Sequence, residues 1–250
     1  MALKTLDVVM LLPSELERQA IESSGRLALE MAAGGHPSAV QLGRRRPGVD
    51  TREGICKPHV SLYMIAVEEE EVPEVVDAVR RVAARARPIE ARGGWYENNG
   101  QGAPEVFFAP APAWTLLQTA VLESVGPLRR GRLRAEDPNG ESAAEIIERG
   151  RDPERVRLLR RYGYDEIGDR FRPHVTLAWP ADRSTRVSTK SLSPAAVFSG
   201  RLSRIAVYEM RSHGTCTEKR AEFSLGLERN TGGVPSRRMG AAGPIEELGR

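Results

Sequence analysis

Two histidines of this chain lie in nearly identical six-residue motifs. Residues 57–62 read KPHVSL and residues 172–177 read RPHVTL, so His59 and His174 are each followed by a hydroxyl residue two positions later. Side chains two apart on a β-strand point to the same face. Each histidine should therefore share a face with its hydroxyl, while the valine and leucine between and after them face a core. Two such strands side by side would gather two imidazoles and two hydroxyls at one place.

This set of groups suits chemistry at a phosphate. Histidine has an ordinary pKa of about 6.5 and can act as an acid or a base at neutral pH. One imidazole can take a proton from water while the other gives a proton to a departing oxygen, as opening a cyclic phosphodiester requires. We assign His174 as the base and His59 as the acid, although the near-symmetry of the motifs makes the roles easy to exchange. The hydroxyls of Ser61 and Thr176 would donate hydrogen bonds to the phosphate oxygens.

The sequence predicts neither a metal nor a cofactor for this chemistry. It has no His-x-x-x-His spacing and no paired cysteines, and its one acidic run, Glu68–Glu71, is expected to be a solvated turn. Cys56 lies three residues before His59, but a single Cys-x-x-His without a second pair does not predict a zinc site. Cys56 and Cys216 are also too few for a disulfide scaffold, which favours a reducing compartment.

Composition sets broad limits on the class of protein. The chain has 250 residues, of which 40% are hydrophobic, and its 37 basic and 34 acidic residues leave a net charge of +3. This charge permits a nucleic-acid partner without requiring one and favours a short or small substrate. The first residues are not typical of a secretory signal, and no segment is apolar for long enough to span a bilayer, so we expect a cytoplasmic protein, a monomer with no membrane partner.

The elements that must position the motifs can be predicted from periodicity and turn residues. We predict one α+β domain over residues 1–227, with the motif strand in the second main strand of each half, and a disordered tail rich in Gly, Pro and Arg over residues 228–250. The predicted strands are 5–12, 56–67, 89–96, 103–109, 172–179, 202–210 and 221–227. The predicted helices are 13–31, 72–87, one from Pro112, and one or two within 142–161, with a loop over 33–54.

The segments HVSL at 59–62 and HVTL at 174–177 resemble the paired His-x-[Thr/Ser]-x motifs of the 2H phosphoesterase superfamily. This family includes bacterial RNA 2′,3′-cyclic phosphodiesterases, also called 2′-5′ RNA ligases. The resemblance implies a bilobal α+β fold with a pseudo-two-fold duplication, in which two antiparallel sheets face each other across a groove with helices outside. It also implies metal-independent hydrolysis, or ligation, at a 2′,3′-type phosphodiester. Ser61 replaces the threonine of many members but keeps the hydroxyl.

Further residues are candidates for binding substrate. Lys57 and Arg172 precede the histidines by two positions and should face the same side, where they could attract phosphate or simply be solvated. Four aromatic residues lie beside the motifs or a glycine-rich turn and could stack on a base, although a core role is the alternative for each. They are Tyr63, Trp179, Trp95 and Tyr96.

The substrate remains open at this level. The partner could be an RNA end carrying a cyclic phosphate, a small cyclic nucleotide, or another small phosphodiester. A binding or regulatory module that keeps the fold without turnover is the alternative to an enzyme. The loop at residues 33–54 and the insertion at 130–165 should flank the groove and decide among these partners.

Overall fold

A computed structural model describes residues 3–45, 54–135, 140–182 and 184–226. The predicted tail at 228–250 and part of the 33–54 loop therefore lie outside the described residues. The described residues form the helices α1 (Ser14–Ala33), α2 (Val72–Arg85), α3 (Pro112–Val125), α4 (Ala143–Arg149) and α5 (Pro153–Tyr162). They form the strands β1 (Lys4–Leu11), β2 (Ser38–Gln41), β3 (His59–Val67), β4 (Ile89–Ala91), β5 (Gly93–Asn98), β6 (Pro104–Phe108), β7 (His174–Thr176), β8 (Ala178–Pro180), β9 (Gly200–Leu202), β10 (Arg204–Arg211) and β11 (Thr215–Ser224).

Two antiparallel sheets carry the motifs, and the predicted α+β class is confirmed. The first has the order β11-β10-β1-β3 and the second the order β5-β6-β7, so each motif strand lies at the edge of its sheet. Strands β3 and β7 lie against each other. In each half a strand and a helix precede a motif strand that pairs antiparallel with the first strand: β1-α1-β3, with β2 inserted before β3, and β6-α3-β7, with α4 and α5 inserted before β7. This repeat is the expected internal duplication.

Several strands predicted as continuous are divided because the chain changes partners. Strand 172–179 breaks at Leu177, where β7 leaves β6 and β8 pairs with β2. Strand 89–96 breaks at Arg92, so that β4 pairs with β9 while β5 pairs with β6. The loop predicted at 33–54 contains β2, which was missed, and β11 begins at Thr215, six residues before the predicted strand. The structure thus adds two small ladders to the two expected sheets.

Helix boundaries follow the sequence signals closely. Pro13 is extended immediately before α1, and Pro73 lies in the first turn of α2, where the missing amide hydrogen costs nothing. Helix α2 buries a stripe of valines at helical spacing. One cluster of buried apolar side chains contains residues from both halves of the chain. None of the described helices combines the length and the hydropathy needed to cross a membrane.

Candidate active site

The two motifs place their histidines and hydroxyls on one groove. His59 and His174 are the first residues of β3 and β7, and both line a cavity of about 650 Å³ together with Ser61 and Thr176. The histidine side chains are 13% and 20% exposed, enough to meet a ligand. The apolar residues that alternate with them are buried, as the strand pattern predicted. These are Val60, Leu62, Val175 and Leu177.

A backbone carbonyl orients each imidazole. Nδ1 of His59 lies 2.7 Å from the carbonyl oxygen of Lys57, and Nδ1 of His174 lies 2.7 Å from that of Arg172. A carbonyl only accepts hydrogen bonds, so both Nδ1 atoms carry the hydrogen. In the neutral imidazole Nε2 is therefore bare and can accept a proton, whereas in the charged form Nε2 can donate one.

A buried carboxylate lies behind each histidine–hydroxyl pair. Ser61 Oγ donates to Asp7 Oδ2 at 2.7 Å, and His59 Nε2 lies 3.8 Å from the same oxygen. In the second half Thr176 Oγ1 donates to Glu105 Oε1 at 3.3 Å, and His174 Nε2 lies 3.6 Å from that oxygen. Asp7 belongs to β1 and Glu105 to β6, the equivalent strands of the two halves. Sequence analysis missed both acids.

The two histidines differ in their electrostatic surroundings. Burial lowers the pKa of His59 from 6.5 to about 4, and the charge of His174 adds to the effect. Burial also opposes the charged form of His174, but the carboxylates of Glu105 and Glu166 outweigh it and raise the pKa of His174. Burial raises the pKa of Asp7 to about 7, although the hydrogen bond from Ser61 acts to lower it. These directions favour the uncharged form of His59 and the charged form of His174.

The cations that precede the motifs lie at the groove, as alternation predicted. Lys57 lines it and is ion-paired with Glu17, while Arg172 lines it and pairs with Glu97 at 3.1 Å. The guanidinium of Arg172 also lies over the ring of Phe107, 4.5 Å from its centroid. Both cations therefore line the groove while paired with carboxylates.

Two of the four candidate aromatic residues lie at or near the groove. Trp179 lines it, although little of its surface is exposed, and its ring is 5.2 Å from that of His213. Trp95 stacks on Phe107 with the ring planes 8° apart, and Phe107 in turn contacts the ring of His174. The ring of Phe107 thus lies between Trp95 and His174.

The other two aromatic candidates, Tyr63 and Tyr96, are not brought to the groove. The pairing of β1 with β3 shifts by one residue between Ser61 and Tyr63, because Leu62 forms a bulge. A bulge reverses the alternation of faces, so Tyr63 turns into the core, where its hydroxyl donates to the carbonyl of Tyr162. Tyr96 packs edge-on against Phe198 away from the histidines.

The two segments expected to flank the groove do so where they are described. The 130–165 insertion contributes a buried cation, an aromatic hydroxyl and charged rim residues, and the 33–54 segment contributes apolar side chains from β2 and its end. These groove residues are Arg134, Arg155, Tyr164, Val40 and Leu42.

The chain matches no family model, and no curated protein sequence matches it. Among solved structures it is similar to E. coli LigT complexed with NADP+, at 14% identity and a TM-score of 0.47, and to the TT0787 protein of Thermus thermophilus, at 18% identity and a TM-score of 0.49. A third, described as a phosphoesterase, has 12% identity and a TM-score of 0.47.

The first two alignments cover 90% of this chain and 99% of the other, and the third covers 89% and 98%. At these identities the likeness concerns the path of the chain alone.

Proposed function

We propose that this protein is a phosphoesterase of the 2H type that hydrolyses a 2′,3′-cyclic phosphodiester, at an RNA end or in a small nucleotide, without a metal in the chemical step. The observation that carries the proposal is the pair of imidazoles on one groove, each with Nδ1 bound to a backbone carbonyl and with a hydroxyl two residues away. A histidine that only packs in the core would need neither a second motif of the same sequence nor a hydroxyl two residues away.

The reaction divides between the two Nε2 atoms. Bare Nε2 of His59 takes a proton from water as the water oxygen bonds to phosphorus. The bond from phosphorus to one ribose oxygen breaks, and Nε2–H of His174 gives its proton to that oxygen. The pKa directions favour these roles. The acid and base roles proposed here are the reverse of those assigned from the sequence, in which nothing distinguished the two histidines.

The hydroxyls of Ser61 and Thr176 are proposed to hold the non-bridging phosphate oxygens. In the structure they donate to Asp7 and Glu105. A hydroxyl has one hydrogen, so each must turn from its carboxylate to donate to a phosphate. The carboxylates therefore hold the hydroxyls at the site before substrate arrives, and Lys57 and Arg172 supply positive charge beside it.

The groove favours a small substrate. Its volume of about 650 Å³ is in the range of pockets that enclose small ligands and cofactors. Phe107 and Trp179 supply apolar walls near His174 and His213. A nucleotide or the last nucleotide of an RNA strand would fit this combination of a phosphate site with aromatic surface.

The test is hydrolysis of a panel of 2′,3′-cyclic nucleotides and a short RNA ending in a cyclic phosphate, all in EDTA. We expect turnover by the wild type and losses of about 10²- to 10⁴-fold in His59→Ala and in His174→Ala. His36→Ala, which changes an exposed histidine that does not line the groove, is the control and should retain full activity. Activity that disappears in EDTA would contradict the metal-free step. Ligand binding without turnover on any substrate would favour a binding module.

A further inference from the structure

Beside His59 the structure places two other groups that bind metals. Asp7 comes from the middle of β1 and Cys216 from the start of β11, and both are fully buried. The backbone nitrogen of Lys57 donates to the carbonyl oxygen of Cys216 at 3.1 Å. This hydrogen bond ties the segment before the first motif to β11 and holds His59 against the thiol.

The distances among the three ligand atoms suit one metal ion. Asp7 Oδ2 lies 3.8 Å from His59 Nε2 and 3.9 Å from Cys216 Sγ, and Sγ lies 3.6 Å from Nε2. The centre of a triangle with these sides is about 2.2 Å from each corner, close to the bond lengths of Zn²⁺ to oxygen, nitrogen and sulfur ligands, about 2.0 to 2.3 Å. An ion could therefore bind with shifts of a few tenths of an ångström.

The tautomer of His59 is the one that a metal requires. Its Nδ1–H donates to the carbonyl of Lys57, so Nε2 presents a lone pair to the thiol and the carboxylate. Histidines that bind metals commonly donate their other ring N–H to a carbonyl or carboxylate in this way.

Asp7 supplies a second, independent indication. Its side chain is 0% exposed, and its other oxygen, Oδ1, has no hydrogen-bond partner among the described residues. A buried carboxylate oxygen without a donor is costly and calls for an explanation such as an ion. A bound cation would neutralise this carboxylate.

We propose that Asp7, His59 and Cys216 form a binding site for a transition-metal ion of the Zn²⁺ type, and that the bound ion inhibits the enzyme by occupying Nε2 of His59. A mixed set of thiolate, imidazole and carboxylate selects such ions over Mg²⁺ and Ca²⁺, which prefer oxygen ligands. The thiol of Cys216 releases its proton to solvent as the ion binds. The inhibition rests on the proposed function, whereas the binding does not.

Cobalt provides a readout that does not depend on activity. The full chain, reduced and freed of metal, is titrated with Co²⁺ alone, and a thiolate-to-cobalt absorption band in the near ultraviolet reports coordination by sulfur. We expect a band that saturates at one equivalent and is displaced by Zn²⁺. It should be absent in Cys216→Ala and present in the control Cys56→Ala, which removes the only other cysteine.

Variants must be shown to fold before the band is interpreted. Circular dichroism and thermal unfolding of Cys216→Ala and of the milder His59→Gln serve this purpose. Each variant removes one of the three proposed metal ligands, so a single folded variant is enough for the test. No band in the wild type, or a band that survives both substitutions, would overturn the site.

Activity supplies the second arm of the test. Zn²⁺ should inhibit the wild type, and Cys216→Ala should need at least about tenfold more Zn²⁺ for the same fractional inhibition, each protein being compared with its own rate in EDTA. Equal inhibition of the two proteins would overturn the inhibitory role. If the cobalt band forms but no substrate turns over, the metal site stands and the proposed function fails.

Discussion

In the first half of the groove His59 lies beside Asp7, and in the second half His174 lies beside Glu105, with a hydroxyl bonded to the acid in each case. The groups correspond, but their surroundings do not. Asp7 is completely buried, and burial there moves both the acid and the histidine towards their uncharged forms. His174 has a second carboxylate nearby, that of Glu166, and its charged form is stabilised.

This difference shows how a duplicated motif can acquire two chemical roles. Hydrolysis of a cyclic phosphodiester needs one group that accepts a proton and one that donates a proton. Two histidines with the same pKa near 6.5 would each be only partly charged at neutral pH, and only some molecules would carry one neutral and one charged imidazole. Unequal burial and one additional carboxylate favour the productive combination, and the catalytic side chains themselves need not change.

Removing the hydroxyls tests whether the two halves contribute equally to phosphate binding. Ser61→Ala and Thr176→Val should each lower kcat by about 10²- to 10³-fold, because each removes one donor to charge that develops on the phosphate. Steady-state kinetics on the best substrate of the panel measures this. Thr119→Val, on the exposed side of α3, is the control.

The same two variants should differ in stability. Ser61→Ala leaves the fully buried Asp7 Oδ2 with only the weak thiol donor of Cys216 at 3.9 Å, whereas in Thr176→Val Glu105 Oε1 still accepts from Asn99 Nδ2 at 2.8 Å. An unsatisfied buried acceptor costs about 1–3 kcal/mol. Denaturant unfolding should therefore show the larger loss in Ser61→Ala. An equal loss would mean that the two carboxylates are equally well satisfied.

Changing the acids tests the electrostatic difference. The raised pKa of His174 keeps it protonated to higher pH, so a rate that needs this proton falls as pH rises through that pKa. Glu105→Gln removes one cause of the raised pKa and should move the alkaline limb of the kcat/KM profile to lower pH. At a fixed pH above the limb, the rate then falls about tenfold for each pH unit by which the limb moves.

Arg172 provides a variant of opposite sign. Its charge lowers the pKa of His174, so Arg172→Met should move the alkaline limb to higher pH while Glu105→Gln moves it to lower pH. A change in the same direction in both variants would show that His174 is not the group that titrates in this limb.

The smallest effect is expected from the cations beside the motifs. The Arg172–Glu97 pair is about half exposed and is worth little as an ion pair, so Arg172 can turn to a phosphate. Lys57 and its partner Glu17 are less exposed. Arg172→Met should raise KM a few-fold and Lys57→Met less, with both differences shrinking in high salt. A larger increase in KM in Lys57→Met than in Arg172→Met would contradict this order of the two cations.

The sequence was sufficient to predict the motifs, their faces and the order of most elements. Period-two alternation placed His59 and His174 on one side, and the apolar runs placed the strands. Asp7 and Glu105 were missed because they lie on other strands, paired to the motifs only in three dimensions. A signal was present: each is a single acid within an apolar strand that precedes a helix and then a motif, in LDVVML and PEVFF.

Other features depended on packing that no local pattern records. The bulge at Leu62 turned Tyr63 into the core, and the change of partners at Leu177 divided the second motif strand. The acid and base roles could not be assigned because they depend on burial and on Glu166, a residue eight positions before His174 in sequence that affects it through space.

The most direct test of the division between the two halves compares leaving groups. A 2′-deoxynucleoside 3′-(4-nitrophenyl phosphate), which has no 2′-hydroxyl to attack phosphorus, releases nitrophenolate, which departs without a proton, whereas a cyclic nucleotide releases a ribose oxygen that needs one. We predict that His174→Ala recovers most of its activity on the nitrophenyl ester while His59→Ala remains inactive on both substrates, since the water must still be deprotonated. Recovery by His59→Ala and not by His174→Ala would contradict the proposed roles.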